Sequence, residues 1–124
     1  FPEKIYRLVT PIRFNPHDDI REQLHTLGVE AHSIRGIFIS HFHADHVAAL
    51  IDFPKAAFHA LSSAYDGVAE LGKIAALRRA FLPALLPHDF KSRYQAIDLA
   101  RTLCALPTQA HPFTHGYDFF GCVF

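Results

Sequence analysis

Residues 36–46 read Gly-Ile-Phe-Ile-Ser-His-Phe-His-Ala-Asp-His, and this stretch decides the fold. Its first half completes an apolar run over residues 34–40 that predicts a buried strand. Four side chains of ligand type then follow within six positions: His41, His43, Asp45 and His46. Imidazole and carboxylate are ligands that suit zinc, iron and manganese. The stretch therefore predicts a metal site at the end of a strand.

The spacing of the four donors predicts a site for two metals rather than one. Residues i and i+2 at the end of a strand project to the same side, so His41 and His43 can point at one metal. The chain then turns into a helix, which lets Asp45 and His46 face a second metal. Two metals about 3.5–4 Å apart can polarise a substrate and hold a bridging hydroxide. The alternative, surface histidines in a polar loop, explains the clustering less well.

Upstream of the motif, the sequence predicts an extended segment followed by a helix. Residues 1–14 are expected to be extended, with Pro2 and Pro11 as breakers. Asn15 and Pro16 suit the N-cap and the first position of a helix. This helix has acids in its first turn, an apolar row at i, i+4 and i+7, and a terminal glycine: Asp18, Asp19, Ile20, Leu24, Leu27 and Gly28.

Downstream of the motif, the sequence predicts the rest of a β-loop-α-β unit and then a helical region. Residues 47–51 begin a helix that ends before Pro54, and residues 56–59 suit a short strand, so we expect an α/β layered fold. Residues 63–86 are rich in Ala and Leu at helical spacing, and residues 90–103 suit a helix or an irregular crossover. Three helix breakers are expected to divide the Ala-rich and Leu-rich segment: Gly67, Gly72 and Pro83.

The composition limits the class of protein and its partners. A chain of 124 residues, 50% hydrophobic and 19% charged, has room for one globular domain. Lys+Arg and Asp+Glu both number 12, so the zero formal charge favours neither nucleic acid nor an anionic membrane as a partner. The start of the chain does not resemble a signal peptide, and Cys104 and Cys122 suggest no disulfide framework. We therefore expect a reducing, cytoplasmic setting.

Two features suggest that the chain is an interior piece of a longer protein. It contains no methionine, and residues 117–124 form an apolar run that stops abruptly. A native terminus is more often polar. We therefore expect residues 1–124 to form a single, partial domain.

The run His41-Phe42-His43-Ala44-Asp45-His46 matches the HxHxDH signature of the metallo-β-lactamase superfamily, which the chain resembles most clearly over about residues 12–60. Residues 86–90 and 116–121 are similar to stretches of lactonase-like members. The resemblance implies an αββα sandwich, incomplete in this chain, with the metals at one edge of the paired sheets. It assigns His41 and His43 to a first zinc ion and Asp45 and His46 to a second, with manganese or iron as alternatives.

The resemblance also implies an activity, namely hydrolysis of a small ester, lactone or related substrate by a metal-bound hydroxide. Asp45 would orient the attacking water and take up its proton. Complete members carry three further ligands, for which the weak candidates here are His111, His115 and Asp118. A non-catalytic metal-binding fragment or remnant of such a hydrolase is therefore the alternative, and an idle His cluster in an interaction module is a third interpretation.

Other candidate residues have simpler explanations. Cys104 lies in an apolar segment and suits a buried thiol better than a nucleophile. The apolar region 68–86 suits a cover for the active-site edge, a homodimer face or ordinary core. A solvated helix face explains the possible phosphate ligands, and core packing explains the possible carbonyl-polarising hydroxyls. The possible phosphate ligands are Lys91, Arg93 and Arg101. The possible carbonyl-polarising hydroxyls belong to Tyr65 and Tyr117.

Overall fold

Short helices and two small sheets make up the computed structural model, which describes residues 2–11, 13, 15–98, 103–106, 110, 112–117 and 119. The α-helices are α1 Pro2–Val9, α2 Ile20–Thr26, α3 Ala44–Val47, α4 Ser62–Ala69, α5 Lys73–Arg78 and α6 Phe90–Arg93. The strands are β1 Gly36–Phe38, β2 Ala57–Leu61, β3 Tyr94–Ile97, β4 Leu103–Ala105 and β5 His115–Tyr117. Short 3-10 turns lie at Pro16–Asp18, Ala31–Ser33, Leu50–Asp52 and Pro83–Leu85.

A three-stranded parallel sheet in the order β1-β2-β3 carries the motif. Phe38 pairs with His59 on β2, and the amide of Ile39 extends this pairing by donating to the carbonyl of His59 at 2.8 Å. The motif therefore begins two positions after Ile39, the last residue of this segment that is hydrogen-bonded to β2. Strands β4 and β5 form a separate antiparallel pair. The parallel sheet with helical connections confirms the predicted α/β class and is consistent with part of a metallo-β-lactamase-type fold.

Apolar side chains from the motif loop, β2 and the helices form one core. It comprises Ile39, Phe42, Val47, Leu50, Phe53, Ala56, Phe58, Ala60, Ala76, Phe81 and Phe90. Arg93 closes one side of this core, because its guanidinium donates to the carbonyls of Phe53 at 2.7 Å and Ala56 at 3.0 Å and lies 4.4 Å from the ring centroid of Phe58. The prediction that Arg93 lies on a solvated helix face is wrong, since its side chain is 17% exposed and pairs with Asp89.

The prediction of an extended N-terminal segment is wrong over Pro2–Val9, which form α1. Pro2 occupies the start of this helix, where its missing N–H costs no hydrogen bond. The apolar residues Ile5, Leu8 and Val9 also follow the i, i+3, i+4 spacing of a helix rather than the alternation of a strand. Pro2 therefore starts a helix instead of interrupting an extended chain.

The next predicted helix forms in two pieces. The side chain of Asn15 accepts a hydrogen bond from the amide of His17 at 3.2 Å, as expected of an N-cap, but it caps only the first 3-10 turn. Asp19 caps α2 by accepting from the amide of Arg21 at 2.8 Å. Gly28, with φ of 74°, ends the helix as predicted, because glycine adopts positive φ without steric cost.

The elements after the motif follow the prediction in part. Strand β2 confirms the short strand expected at residues 56–59. The predicted break at Gly72 is also confirmed, because this residue lies between α4 and α5 at the N-cap of α5. The prediction of a break at Gly67 is wrong because α4 runs through it. The prediction of a helix or crossover at residues 90–103 is wrong over β3, whose residues pair with β2. Tertiary pairing overrides local preference there.

No helix in the described part of the chain is both long enough and apolar enough to cross a membrane. Most of the predicted apolar run over residues 117–124 lies outside the described residues, and β5 ends at Tyr117.

Candidate metal centre

The motif loop alternates between buried apolar residues and accessible polar ones. Phe42, Ala44 and Val47 are buried, and the side chains of the intervening donors remain at the surface. His43 has extended backbone angles, φ −68° and ψ 152°, and forms the N-cap of α3. The change from strand to helix therefore turns apolar groups into the core and leaves the imidazoles and the carboxylate accessible.

Two interactions hold the loop against the rest of the fold. The ring of Phe42, which is 3% exposed, lies 5.3 Å from that of Tyr65, 6.2 Å from Phe81 and 6.0 Å from Phe90, measured between centroids. The backbone amide of Ala44 donates to the carbonyl of Ala80 at 2.8 Å. The loop is thus anchored both by a buried side chain and through its backbone.

The structure brings the four predicted donors into one patch. The centroid of the His41 ring lies 4.0 Å from that of His46 and 4.5 Å from that of His43. Oδ2 of Asp45 lies 3.6 Å from Nε2 of His46. The Oγ of Ser40 lies 3.0 Å from Nδ1 of His41. Three imidazoles and one carboxylate therefore share a small part of the surface, and their assignment as metal ligands stays a prediction.

The electrostatics of the patch favour a neutral imidazole at its centre. Desolvation lowers the pKa of His41, and the neighbouring imidazoles of His46 and His43 lower it further, against a smaller raising effect of Asp45. A metal binds the neutral form of histidine. The crowding of the rings therefore reduces the competition between protons and a metal at His41.

The donor set suits a dication in its chemistry, although its side chains do not converge on one point. Among the residues that the structure describes, no group of three or more His, Cys, Asp or Glu side chains is placed to hold a metal ion. The side chains of Asp45 and His46 are 69% and 47% exposed, so both have room to rotate. The residues fit a metal by ligand type and by their common loop, and metal binding would require a change of rotamers.

Of the further ligand candidates, only His115 lies among the described residues. His115 lies in β5, outside the sheet that carries the motif, and its Nδ1 is 3.1 Å from the Oγ1 of Thr114. His111 and Asp118 lie outside the described residues, as do Arg101 and Cys122. The structure therefore leaves the additional ligands as predictions.

An apolar cavity that the sequence did not indicate lies beside the motif. This cavity has a volume of about 310 Å³, and its wall includes Asp45 and His46. The remaining wall is apolar and comes from α2, the turn before β1, β1 itself and the segment after α3: Ile20, Leu24, Ile34, Ile37, Ala49, Leu50 and Phe53. The sequence indicates Ile20 and Leu24 only as part of the apolar row of a helix.

Two further residues near the site were not singled out from the sequence. His59 is 7% exposed, and its ring lies 5.2 Å from that of Phe38 and 4.6 Å from that of Phe119. Burial lowers its pKa. Ala80 has a φ of 51°, in the left-handed region that alanine rarely adopts. No local sequence pattern marks either feature, because both depend on contacts between distant segments.

A comparison with protein families finds a match to the model described as the metallo-beta-lactamase superfamily over residues 13–119. This range extends from the residues before α2 to beyond β5 and includes all four predicted donors. Neither a curated protein nor a solved structure matches the chain.

Proposed function

The chain belongs to the metallo-β-lactamase superfamily, and on that premise we propose that it is a metal-dependent hydrolase of small esters, lactones or related substrates. The observation that carries the proposal is the grouping of three imidazoles and a carboxylate on the loop after β1, where the His41 ring centroid lies 4.0 Å from that of His46 and 4.5 Å from that of His43. These ligand types suit zinc, manganese and iron.

The four donors would divide into two pairs, one for each metal, in the order in which they occur along the loop. His41 and His43 would hold one zinc ion, and Asp45 and His46 would hold a second. A bound dication supplies a nucleophile at neutral pH by lowering the pKa of a coordinated water. The Asp45 carboxylate, 69% exposed, would accept the proton that the attacking water loses. The buried ring of Phe42 would keep the flanking imidazoles in position during the reaction.

The surroundings of Asp45 support a small substrate with an apolar part. The cavity of about 310 Å³ beside Asp45 and His46 is walled mainly by Ile, Leu and Phe side chains. Such a cavity favours an ester or lactone with a short apolar substituent over a polyanion. The formal charge of zero also argues against an RNA substrate.

An activity panel tests the proposed reaction. The zinc-loaded and manganese-loaded protein would be assayed on an aryl ester, a lactone and a phosphodiester. We expect hydrolysis of the ester or the lactone, and we expect Asp45→Ala to lower kcat by about 10²-fold or more. Asp18→Ala is the matched control because Asp18 is an exposed carboxylate outside the motif. A loaded protein that hydrolyses none of the three substrates would refute the hydrolase proposal.

A second candidate function is metal binding without catalysis, in a fragment or remnant of such a hydrolase. It is favoured by the orientation of the donors, of which no three among the described side chains are placed to hold one ion. Undercoordinated metals would bind weakly and would hold a nucleophile poorly. Zinc binding in the absence of any hydrolysis would support this candidate, whereas two tightly bound zinc ions would count against it.

We also propose the setting in which the protein works. A small-molecule substrate is the expected partner, and nucleic acid and membrane are not favoured because the formal charge is zero. The cysteine pattern favours a reducing, cytoplasmic environment. A homodimer through the apolar region 68–86 is the oligomeric state to test, by sedimentation of the protein at two concentrations.

A further inference from the structure

A second cavity lies next to the buried anchor of the motif loop. Its volume is about 230 Å³. Its wall has three aromatic rings (Tyr65, Phe81 and Phe90), four other apolar residues including Ala69, and the polar side chains of His88 and Lys91. Three of these rings are the ones that Phe42 contacts. This cavity is separate in its lining from the cavity beside Asp45 and His46.

The volume of the cavity suits a ligand with a single ring and a short chain. A water molecule takes up about 30 Å³ of liquid, so this cavity has the volume of roughly seven or eight waters. Phe81 and Phe90 are 3% and 2% exposed, so they form the buried apolar floor of the cavity. The accessible part of its apolar wall comes from side chains such as Tyr65, Pro83 and Leu86. Ring faces and edges of this kind attract an aromatic group by stacking and edge contacts.

The lining of the cavity contains a lysine and a histidine but no acidic residue. Within the described residues no ion pair includes Lys91 or His88. Asp89, their neighbour in sequence, pairs instead with Arg93 at 2.9 Å, and this bond is the main reason that its pKa is lowered. The ammonium group of Lys91 is therefore available to an anion that enters the cavity.

We propose that this cavity binds a small aromatic monocarboxylate. The ring lies against the accessible side chains of Tyr65 and Leu86, above the buried rings of Phe81 and Phe90. The carboxylate meets the Lys91 ammonium at the rim, with His88 beside it. Apolar burial supplies the affinity, and the charge pair selects an acid over the corresponding amide. For a ligand of about eleven heavy atoms, the expected Kd is on the order of millimolar. The site does not depend on the hydrolase activity.

Titration with 3-phenylpropionate, followed by amide and aromatic NMR signals of the whole protein, tests this site. We expect saturable shifts and nuclear Overhauser effects between the probe and the rings of Phe81 and Phe90. Ala69→Leu, which fills the cavity, should abolish binding. Lys91→Gln should weaken it about five- to tenfold, and the neutral amide of the probe should bind similarly weakly. Lys55→Gln, at an exposed lysine outside the cavity, is the matched control and should change nothing.

The NMR titration can either support or overturn the proposed site. Absence of saturable shifts up to roughly twenty times the expected Kd would overturn it. Equal affinity of the wild type and Lys91→Gln would also overturn it, because the acid would then bind elsewhere or without the cation. If Ala69→Leu does not fold, Lys91→Gln still decides the question, since its side chain is exposed and its removal leaves the core intact.

Discussion

The backbone amide of Ala44 donates a hydrogen bond to the carbonyl oxygen of Ala80 at 2.8 Å. Ala44 lies in the first turn of α3, where the N–H groups lack partners within the helix. Ala80 has a φ of 51° and is the only residue other than glycine with positive φ in the described part of the chain. The position of the motif loop therefore depends on a strained residue outside the motif.

The first prediction concerns this strained residue. Ala80→Val should lower the free energy of unfolding by about 1–2 kcal/mol, because a β-branched side chain resists the left-handed conformation. Ala80→Gly should be near neutral, since relief of strain offsets the greater freedom of the unfolded chain. Denaturant unfolding measures both. Ala75→Val, at an exposed position of α5, controls for helix propensity. Equal stability of the Val and Gly variants at position 80 would contradict the assignment.

The second prediction concerns the guanidinium that closes the core. Arg93→Met should lower the free energy of unfolding by about 2–4 kcal/mol, because it removes hydrogen bonds to the carbonyls of Phe53 and Ala56 and the contact with the Phe58 ring. Arg78→Met, at an exposed arginine of α5, should change the stability by less than about 0.5 kcal/mol. Thermal or urea unfolding measures both variants. Equal stability of Arg93→Met and Arg78→Met would contradict the prediction.

The third prediction concerns the buried hydroxyl of Tyr94. Among the described residues this hydroxyl has no hydrogen-bond partner, and its burial raises the pKa of Tyr94. Tyr94→Phe removes the unpaired group and keeps the ring contacts with Tyr65 and Phe90. We expect it to raise the free energy of unfolding by about 1 kcal/mol. Tyr6→Phe serves as the control, and a loss of stability in Tyr94→Phe would show that the hydroxyl has a partner.

The fourth prediction is a pH dependence of stability from His59. Burial lowers its pKa in the folded state below the ordinary value of about 6.5. The unfolded chain therefore binds the proton first as the pH falls, so this contribution to stability is complete above about pH 6.5 and is lost below it. His59→Leu should flatten the decline in the free energy of unfolding between about pH 7 and pH 5.

The control for this prediction is His32→Gln, because His32 is exposed on a 3-10 turn. That variant should keep the pH dependence of the wild type. His41, whose pKa is also lowered, supplies a slope that remains in both variants. An unchanged slope in His59→Leu would show that the acid sensitivity comes from elsewhere.

The fold could be predicted where short-range pattern and tertiary structure agree. The strand before the motif and β2 were predicted because apolar runs of that length suit parallel strands. The prediction that the first of these strands is buried is wrong, because Gly36 and Phe38 of β1 are exposed. The donors of the motif lie together because they are adjacent in the sequence, so no long-range packing is needed to assemble them. Gly28 was predicted as a helix stop for the same reason, since its role depends only on its own φ.

The rest could not be predicted because it depends on distant contacts. Residues 94–97 become a strand only through pairing with β2, and Arg93 becomes a core residue only because the carbonyls of a distant loop meet it. Pro2 was misjudged because the same residue both breaks and starts helices. The cavity beside Asp45 arises from three separate segments, and no local pattern reports their distance.

The central claim is that the motif loop binds metal, and calorimetric titration of the protein with zinc tests it most directly. The account predicts saturable binding of two zinc ions, weakened at least about tenfold by His41→Ala and by His46→Ala, with binding by His32→Ala unchanged. Absence of zinc binding, or zinc binding that His41→Ala and His46→Ala leave at the affinity of the wild type, would contradict it.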